Sequence, residues 1–413
     1  MHDWNNEELL PQALRKLRSG CSLWSELAGE THRYGSLSGD AECEVLILGA
    51  GVTGALIARQ LSKVGVAVAL VEEQEVGRGS TAASTGLLQY EVDIPLNELI
   101  QRVGEAAAVH VYRRGLVAID EIEELVNDLE GSCGFNRRDS LYLCSHAAHL
   151  RDLDQEFECR RHYGFEVERL SPEQLLAETS IRTPGAILSH GDAQINPLQL
   201  TLHLIQAAVA NGARVFDHSR VQHIEESPGE IVAHAALGRI RAKKIVYATG
   251  YQSAKYLNRP VGNLNSTYAV ASQPNLAVSG WPQECLLWET ARPYFYGRRT
   301  ADGRVIIGGE DTEFANDHTR DSLLERQVSR LVTRFGELFP ESTFLPDFAW
   351  AGVFAETTDG LAYIGQVSER PSAYFALGYG GNGITFSVIA AKLISDLYRG
   401  RPNLDAAIFH FDR

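Results

Sequence analysis

Glu44-Val45-Leu46-Ile47-Leu48-Gly49-Ala50-Gly51-Val52-Thr53-Gly54 is the segment from which the architecture can be read. Its first five residues form a short, aliphatic, β-branched run, as a strand buried on both faces requires. Glycines follow with the spacing Gly49-x-Gly51-x-x-Gly54. The first permits a tight turn, the second lets backbone approach a pyrophosphate, and the third lets a helix pack closely on the strand. Thr53 to Val64 has helical apolar spacing, and Val66 to Val71 is a second buried strand that ends in Glu72-Glu73. Strand, glycine turn, helix and strand make a βαβ unit, whose crossover implies a parallel sheet. Glu72 lies 18 residues beyond Gly54, where a carboxylate at a strand end accepts hydrogen bonds from ribose hydroxyls. Gly49, Gly51, Val52, Thr53, Gly54, Glu72 and Glu73 are therefore candidate contacts to a dinucleotide.

Two later segments favour FAD over NAD. Gly77 to Gly86 directly follows the ribose acid, and its small and hydroxylated residues, among them Gly79, Ser80, Thr81, Ser84, Thr85 and Gly86, suit a backbone wrapped around a second phosphate and a ribityl chain. Near the C-terminus, Gly378-Tyr379-Gly380-Gly381-Asn382-Gly383-Ile384-Thr385 is another glycine turn at the start of a helix. The positive end of that helix stabilises negative charge, which reduced flavin carries at its N1–C2 carbonyl edge.

The 413 residues exceed what one core usually organises, so two domains are expected. A net charge of −15 repels polyphosphates, and the clusters Arg298-Arg299 and Arg241 with Lys243-Lys244 are too short to track nucleic acid. The six cysteines form no C-x-x-C pair, which fits reduced thiols in the cytoplasm. Met1 to Glu8 lacks the pattern of a signal peptide, and no run approaches 18 apolar residues. The histidines show neither H-x-x-x-H nor H-E-x-x-H, so a metal site is not expected. A helical pattern spans Glu8 to Leu17, one or two long amphipathic helices span Leu96 to Leu129, and Ser171-Pro172-Glu173-Gln174 is a capping box. Asn196-Pro197 starts another helix, a β-meander from 214 to 242 feeds the buried strand Lys244 to Tyr247, and a further helix is expected from Ser322 to Phe339.

These motifs together resemble the D-amino-acid oxidase and glycine/sarcosine oxidase superfamily of the glutathione-reductase-2 fold. The matching pieces are Leu46 to Gly51, Gly79-Ser80-Thr81, Val246-Tyr247-Ala248-Thr249-Gly250, Arg304 to Gly309 with Glu310-Asp311, Thr358-Asp359-Gly360 and Gly378 to Gly383. Ser22-Leu23-Trp24 is similar to the lead-in of the gamma-glutamylputrescine oxidase-like branch. The resemblance implies an α/β protein with a Rossmann-type FAD-binding domain and a second domain built on an antiparallel sheet plus helices. Residues 43–95, 190–255 and 350–413 would form the first, 96–189 and 256–349 the second, and 1–42 an N-terminal extension. It further implies cofactor contacts from Val221, Ala248, Thr249 and Gly250. The implied reaction is hydride transfer from the carbon bearing nitrogen to flavin N5, followed by imine hydrolysis and reoxidation by O2 or another acceptor.

For the substrate pocket, the resemblance places an arginine facing the flavin at Arg298, where it would grip a carboxylate; the residue type and its neighbour Asp302 equally fit a surface arginine in a hairpin turn. Tyr296, Trp350 and Tyr379 would wall an amine cavity, or serve as core. No catalytic base is named, since a neutral amine needs none. Ser80 to Gly86 contains neither histidine nor cysteine, so FAD is expected to be noncovalent. The oxygen-activating lysine of sarcosine-oxidase-like relatives aligns with Ile306, which weakens the oxidase reading and leaves the acceptor open. Two other readings stand beside amine oxidation: a 2-hydroxy-acid or polyol dehydrogenase serving a quinone or protein acceptor, and a flavin-bound subunit of a larger complex. The family also leaves room for a homo-oligomer.

Overall fold

Val45–Leu48 is buried at every residue and lies inside a six-stranded sheet. The computed structural model describes residues 16–28, 32–129, 131–257 and 261–413. In spatial order the strands of this sheet are Tyr363–Val367, Arg370–Leu377, Lys244–Tyr247, Val45–Leu48, Val68–Val71 and Arg214–Phe216. All neighbours run parallel except the first two. Side chains alternate between the faces of a strand, so both faces need cover. Val45 and Ile47 enter a core shared with helices Val52–Lys63, Glu105–Asn127, Pro197–Ala210 and Gly383–Tyr398. Leu46 and Leu48 pack instead on a small four-stranded sheet. That sheet is the meander Val221–Ser227, Glu230–Ala235 and Gly238–Ala242, extended by Gly39–Glu42.

The second large unit is a ten-stranded sheet, antiparallel save for the pairing of Leu286–Glu289 with Asn136–Leu143. Pro346–Glu356, Asn263–Ser272, Val305–Glu313 and Phe295–Arg299 lie side by side in it. Helix Asp317–Leu338 covers one face, burying Leu331, Phe335 and Leu338 against Tyr268, Val270 and Ile307. The structure thus has the expected α/β fold with an antiparallel second sheet.

Four sequence expectations need correction. The boundaries at 190 and 350 fall inside the strands Ala186–Gln194 and Pro346–Glu356, so both strands belong to the large sheet over their whole length. The helices Leu96–Val103 and Glu105–Asn127, placed with the substrate domain, share the core of the parallel sheet. Glu105–Asn127 packs on helix Gly383–Tyr398, and Leu96–Val103 on Glu105–Asn127, which a linear reading could not foresee. The described part of the 1–42 segment is woven into both units: Arg18–Gly20 pairs with Trp350 to Gly352, and Gly39–Glu42 pairs with Gly238 to Arg241. Finally, the helix expected from Ser322 begins at Asp317, where the Asn316 side chain accepts from the Thr319 N–H and caps it. The helical pattern from Glu8 lies almost wholly outside the described residues. The capping box at Ser171 and the Asn196 cap form as expected. No described helix is long and apolar enough to cross a membrane.

Candidate active site

A cavity of about 810 Å³ is lined by residues from both large sheets and from the glycine turns. At its nucleotide end the fingerprint has the geometry its glycines require. A Cβ on Gly54 would lie 1.9 Å from the Gly49 carbonyl oxygen, so only glycine lets the helix meet the turn. Gly49 itself has φ +96°, a conformation that side chains disfavour. The Val52 N–H donates to Thr81 Oγ1 at 2.9 Å, which ties the helix start to the following loop. Glu72 Oε2 accepts from the Ala50 N–H at 2.8 Å and Oε1 from the Gln74 N–H at 2.9 Å. Each oxygen keeps a second lone pair for a hydroxyl. Burial raises this carboxyl above its ordinary value, opposed by those two backbone bonds.

Helices Val52–Lys63 and Gly383–Tyr398 both begin at this cavity without a side-chain cap. Apart from the Val52 N–H, which Thr81 takes, their first-turn N–H groups and dipoles are therefore available to anionic or carbonyl oxygens. Asn382, at the start of the second helix, donates from Nδ2 to the carbonyls of Gln89 and Glu91 and fixes the turn in place. Ser80 Oγ, on the wall beside the fingerprint, is buried with no protein partner. A cavity of this volume, two helix starts without an N-cap side chain, a carboxylate at the ribose position and an orphaned hydroxyl fit FAD.

Gly49, Gly51, Val52, Thr53, Glu72, Glu73, Gly79, Ser80, Thr81, Ser84, Thr85, Val221, Ala248, Thr249, Gly250, Gly378, Gly380, Gly381, Asn382, Gly383 and Ile384 all line the cavity. Gly54, Gly86 and Thr385 stand behind it. Gly86, at φ +75°, lies where a Cβ would sit 2.2 Å from the Ile195 carbonyl. Thr385 Oγ1 donates back to the Asn382 carbonyl.

Of the four substrate-pocket candidates, Tyr296 and Tyr379 reach the cavity, whereas Arg298 and Trp350 do not. Arg298 is 2% exposed and donates from Nε to the Thr85 carbonyl at 2.7 Å and from Nη2 to the Ile195 carbonyl at 3.0 Å. It is neither a cavity-wall residue nor a hairpin arginine, and Asp302 pairs with Arg304 instead. Trp350, fully buried, donates from Nε1 to the Ala83 carbonyl at 2.8 Å, and Trp24 donates to the Ser84 carbonyl at 2.6 Å. Three successive carbonyls, 83 to 85, are thus pinned from behind by two indoles and a guanidinium. Ile306 is buried beside Trp350 and Leu23, away from the cavity wall.

The reaction end contains residues that sequence reasoning missed. Trp288, Arg292, Tyr294, Tyr251, Asp93 and Asp311 line the cavity there. Asp93 accepts from the Gly381 N–H at 2.6 Å and from the Tyr294 hydroxyl at 3.4 Å, so it anchors the C-terminal glycine turn. Arg292 is exposed and donates to the carbonyls of Glu289, Ala291 and Asp93. Asp311 owes its direction to a β-bulge. Ser266 pairs with Thr312 and Tyr268 with Gly309, which leaves Glu310 and Asp311 together opposite Thr267. The extra residue re-aims the strand, as bulges beside active sites do. Gly309 has φ +131° and Glu310 φ +53°. Helix Asp317–Leu338 holds this conformation: Gln327 Nε2 donates to the Glu310 carbonyl, and Arg330 pairs with its carboxylate at 3.1 Å. The signal available in sequence was the Gly308-Gly309 pair followed by two acids.

A model of the family described as "DAO: FAD dependent oxidoreductase" matches residues 44–397. Gamma-glutamylputrescine oxidoreductase of Escherichia coli K12 is 26% identical, the alignment covering 92% of this chain and 89% of that protein. Glycine oxidase of Geobacillus kaustophilus is 27% identical over 93% of this chain and 98% of its own. The crystal structure of glycine oxidase from that organism superposes with a TM-score of 0.75 at 22% identity, covering 90% of this chain and 99% of the other.

Proposed function

Because the chain belongs to the FAD dependent oxidoreductase (DAO) family, we propose that it oxidises the C–N bond of a small amine or amino acid. FAD, when bound, supplies the hydride acceptor at N5, and the imine left on the substrate is hydrolysed. Backbone N–H groups of the two helix starts would hold the pyrophosphate and the flavin carbonyl edge. Glu72 would hold the ribose. The pinned loop 83–85 would hold the cofactor's middle section, and Tyr296, Trp288 and Tyr379 line the same cavity. The described cavity wall contains no cysteine or histidine, which supports noncovalent attachment.

The observation that carries the choice of an amine over a hydroxy acid is the carboxylate of Asp311 on the chamber wall. An anion there favours a cationic substrate and opposes an anionic one. The names of the two relatives, one for a glutamylated diamine and one for an amino acid, agree with that choice. An anaerobic screen of amino acids, N-methyl amines, polyamine derivatives and hydroxy acids tests it. Amines are expected to bleach the flavin, with colour returning on admission of air or of an artificial acceptor. Bleaching by hydroxy acids alone, or purified protein that takes up no flavin, would overturn the reading.

A further inference from the structure

We propose that Asp311 receives the substrate's nitrogen: its carboxylate binds the ammonium form and takes one proton from it, leaving a neutral amine ready for oxidation. The inference rests on the amine reading above and adds a residue and a step to it. In that step an N–H bond of the ammonium breaks and an O–H bond forms on Asp311. The electron pair stays on nitrogen, and no electrons leave the substrate. The proton later returns to solvent as the carboxyl reionises.

Geometry singles out this carboxylate from its neighbours. Asp311 Oδ1 is a buried cavity-wall oxygen without a protein partner, and an unsatisfied buried acceptor costs folding energy unless a ligand meets it. Glu91 also keeps an unpartnered oxygen, Oε2, but its charge is neutralised by Arg160 at 2.8 Å on Oε1, and Asp93 is engaged by the Gly381 N–H; among the described residues, Asp311 has no such cationic or backbone partner. The bulge at Glu310–Asp311 is a second observation, since a regular strand would keep the two-residue alternation and turn this side chain elsewhere. Trp288, 6% exposed, also presents an unpartnered Nε1 on the same wall. With Tyr294 and Tyr296 it provides aromatic surface that accommodates a cation.

The groups around Asp311 allow it to act as an acceptor near neutral pH. Burial is the main cause of its rise to about 7, the Thr267 hydroxyl opposes that rise, Asp93 and Glu356 add to it, and Arg292 reduces it. The Tyr294, Tyr296 and Tyr268 hydroxyls facing it are all held above their ordinary range, chiefly by burial, and stay neutral. From the covering helix, Arg330 is committed to Glu310 and Arg320 to Asp321 and Asp317. A carboxyl poised at that pH transfers protons efficiently.

The test compares two probes that share a tert-butyl group and differ in charge, tert-butylammonium and pivalate, on FAD-loaded protein, followed by titration of the flavin spectrum and by calorimetry. Neither probe has a hydrogen on the carbon that bears its charged group, so neither is oxidised there. Wild type is expected to bind tert-butylammonium at least tenfold more tightly than pivalate at pH 8, with binding declining as pH falls through about 7 and Asp311 is protonated. Asp311→Asn should lose at least tenfold in ammonium binding and lose that pH limb while retaining FAD. Asp311→Ser guards against a local packing effect of the amide and should behave alike. Unchanged ammonium binding in both variants, preference for pivalate in wild type, or binding of neither probe overturns the proposal. If the variants lose ammonium binding yet no amine bleaches wild type, the amine-oxidation reading and the proton-transfer step fail together, and Asp311 stands as an ammonium-binding residue alone. If amines bleach wild type and both variants bind tert-butylammonium normally, only the Asp311 assignment fails.

Discussion

The two ends of the cavity are built by different means. At the nucleotide end the wall is largely backbone: glycine turns, helix starts without an N-cap side chain, and the carboxylates of Glu72 and Glu73 at the end of Val68–Val71. At the reaction end it is side chains carried by the large sheet, and the decisive one is placed by a bulge. Backbone sites demand particular residues at fixed spacing, so their chemistry is written in local sequence. Side-chain sites depend on which strands become neighbours, and here the strands come from residues 263–272, 295–299, 305–313 and 346–356.

The largest expected effect lies at the backbone end. In Gly54→Val the new Cβ would stand 1.9 Å from the Gly49 carbonyl oxygen, and the obstacle is main chain with no rotamer to yield. Either the helix separates from the strand or the turn is lost. We expect purified Gly54→Val to carry no flavin and to melt many degrees below wild type, read by visible absorbance and far-UV circular dichroism. Retention of flavin at wild-type stoichiometry would show that the close approach is dispensable, and with it the claim that this end is specified by backbone.

That contrast explains what could be read without a structure. The fingerprint, both glycine turns, the meander and the parallel strand Lys244–Tyr247 follow from local rules, and their residues lie where those rules put them. The chamber does not follow. Arg298 and Trp350 sit in strands beside the cavity, but each turns to the loop carbonyls because those buried acceptors need donors. An arginine that satisfies carbonyls and one that grips a carboxylate have the same sequence signature. Asp311 was visible only as the second acid after a glycine pair. Its direction depends on Thr267 facing two residues, and pairing register across some forty residues is not a local property. The domain boundaries failed for a related reason, since a strand of the large sheet carries no composition change at the point where a linear reading divides it.

A smaller effect separates support from recognition. Arg298→Met removes the donor to the Thr85 and Ile195 carbonyls and leaves two buried acceptors bare, at a cost of about 1–3 kcal/mol each. FAD affinity, measured by flavin fluorescence, is expected to weaken by tenfold or more as the loop loosens. The preference for tert-butylammonium over pivalate should survive in the fraction that is loaded, because this guanidinium lies behind the cavity wall. A reversal of that preference would return Arg298 to the substrate side.

The smallest effect tests whether the bulge needs its own side chain. Glu310 holds φ +53°, which costs a non-glycine residue roughly 1–2 kcal/mol, and its half-exposed pair with Arg330 returns about 0–1 kcal/mol. Glu310→Gly removes the strain and the ion pair together. The backbone carbonyl that accepts from Gln327 remains, and so does the pairing of Ser266 with Thr312 and Tyr268 with Gly309. The melting temperature is therefore expected to stay within a few degrees of wild type, with a shift upward if the strain outweighs the ion pair, and ammonium binding should be unchanged. A tenfold loss of ammonium binding at unchanged stability would mean that Arg330, reaching over Glu310, fixes the direction of Asp311. The chamber would then be held by one ion pair rather than by strand register, and the contrast between its two ends would be sharper still.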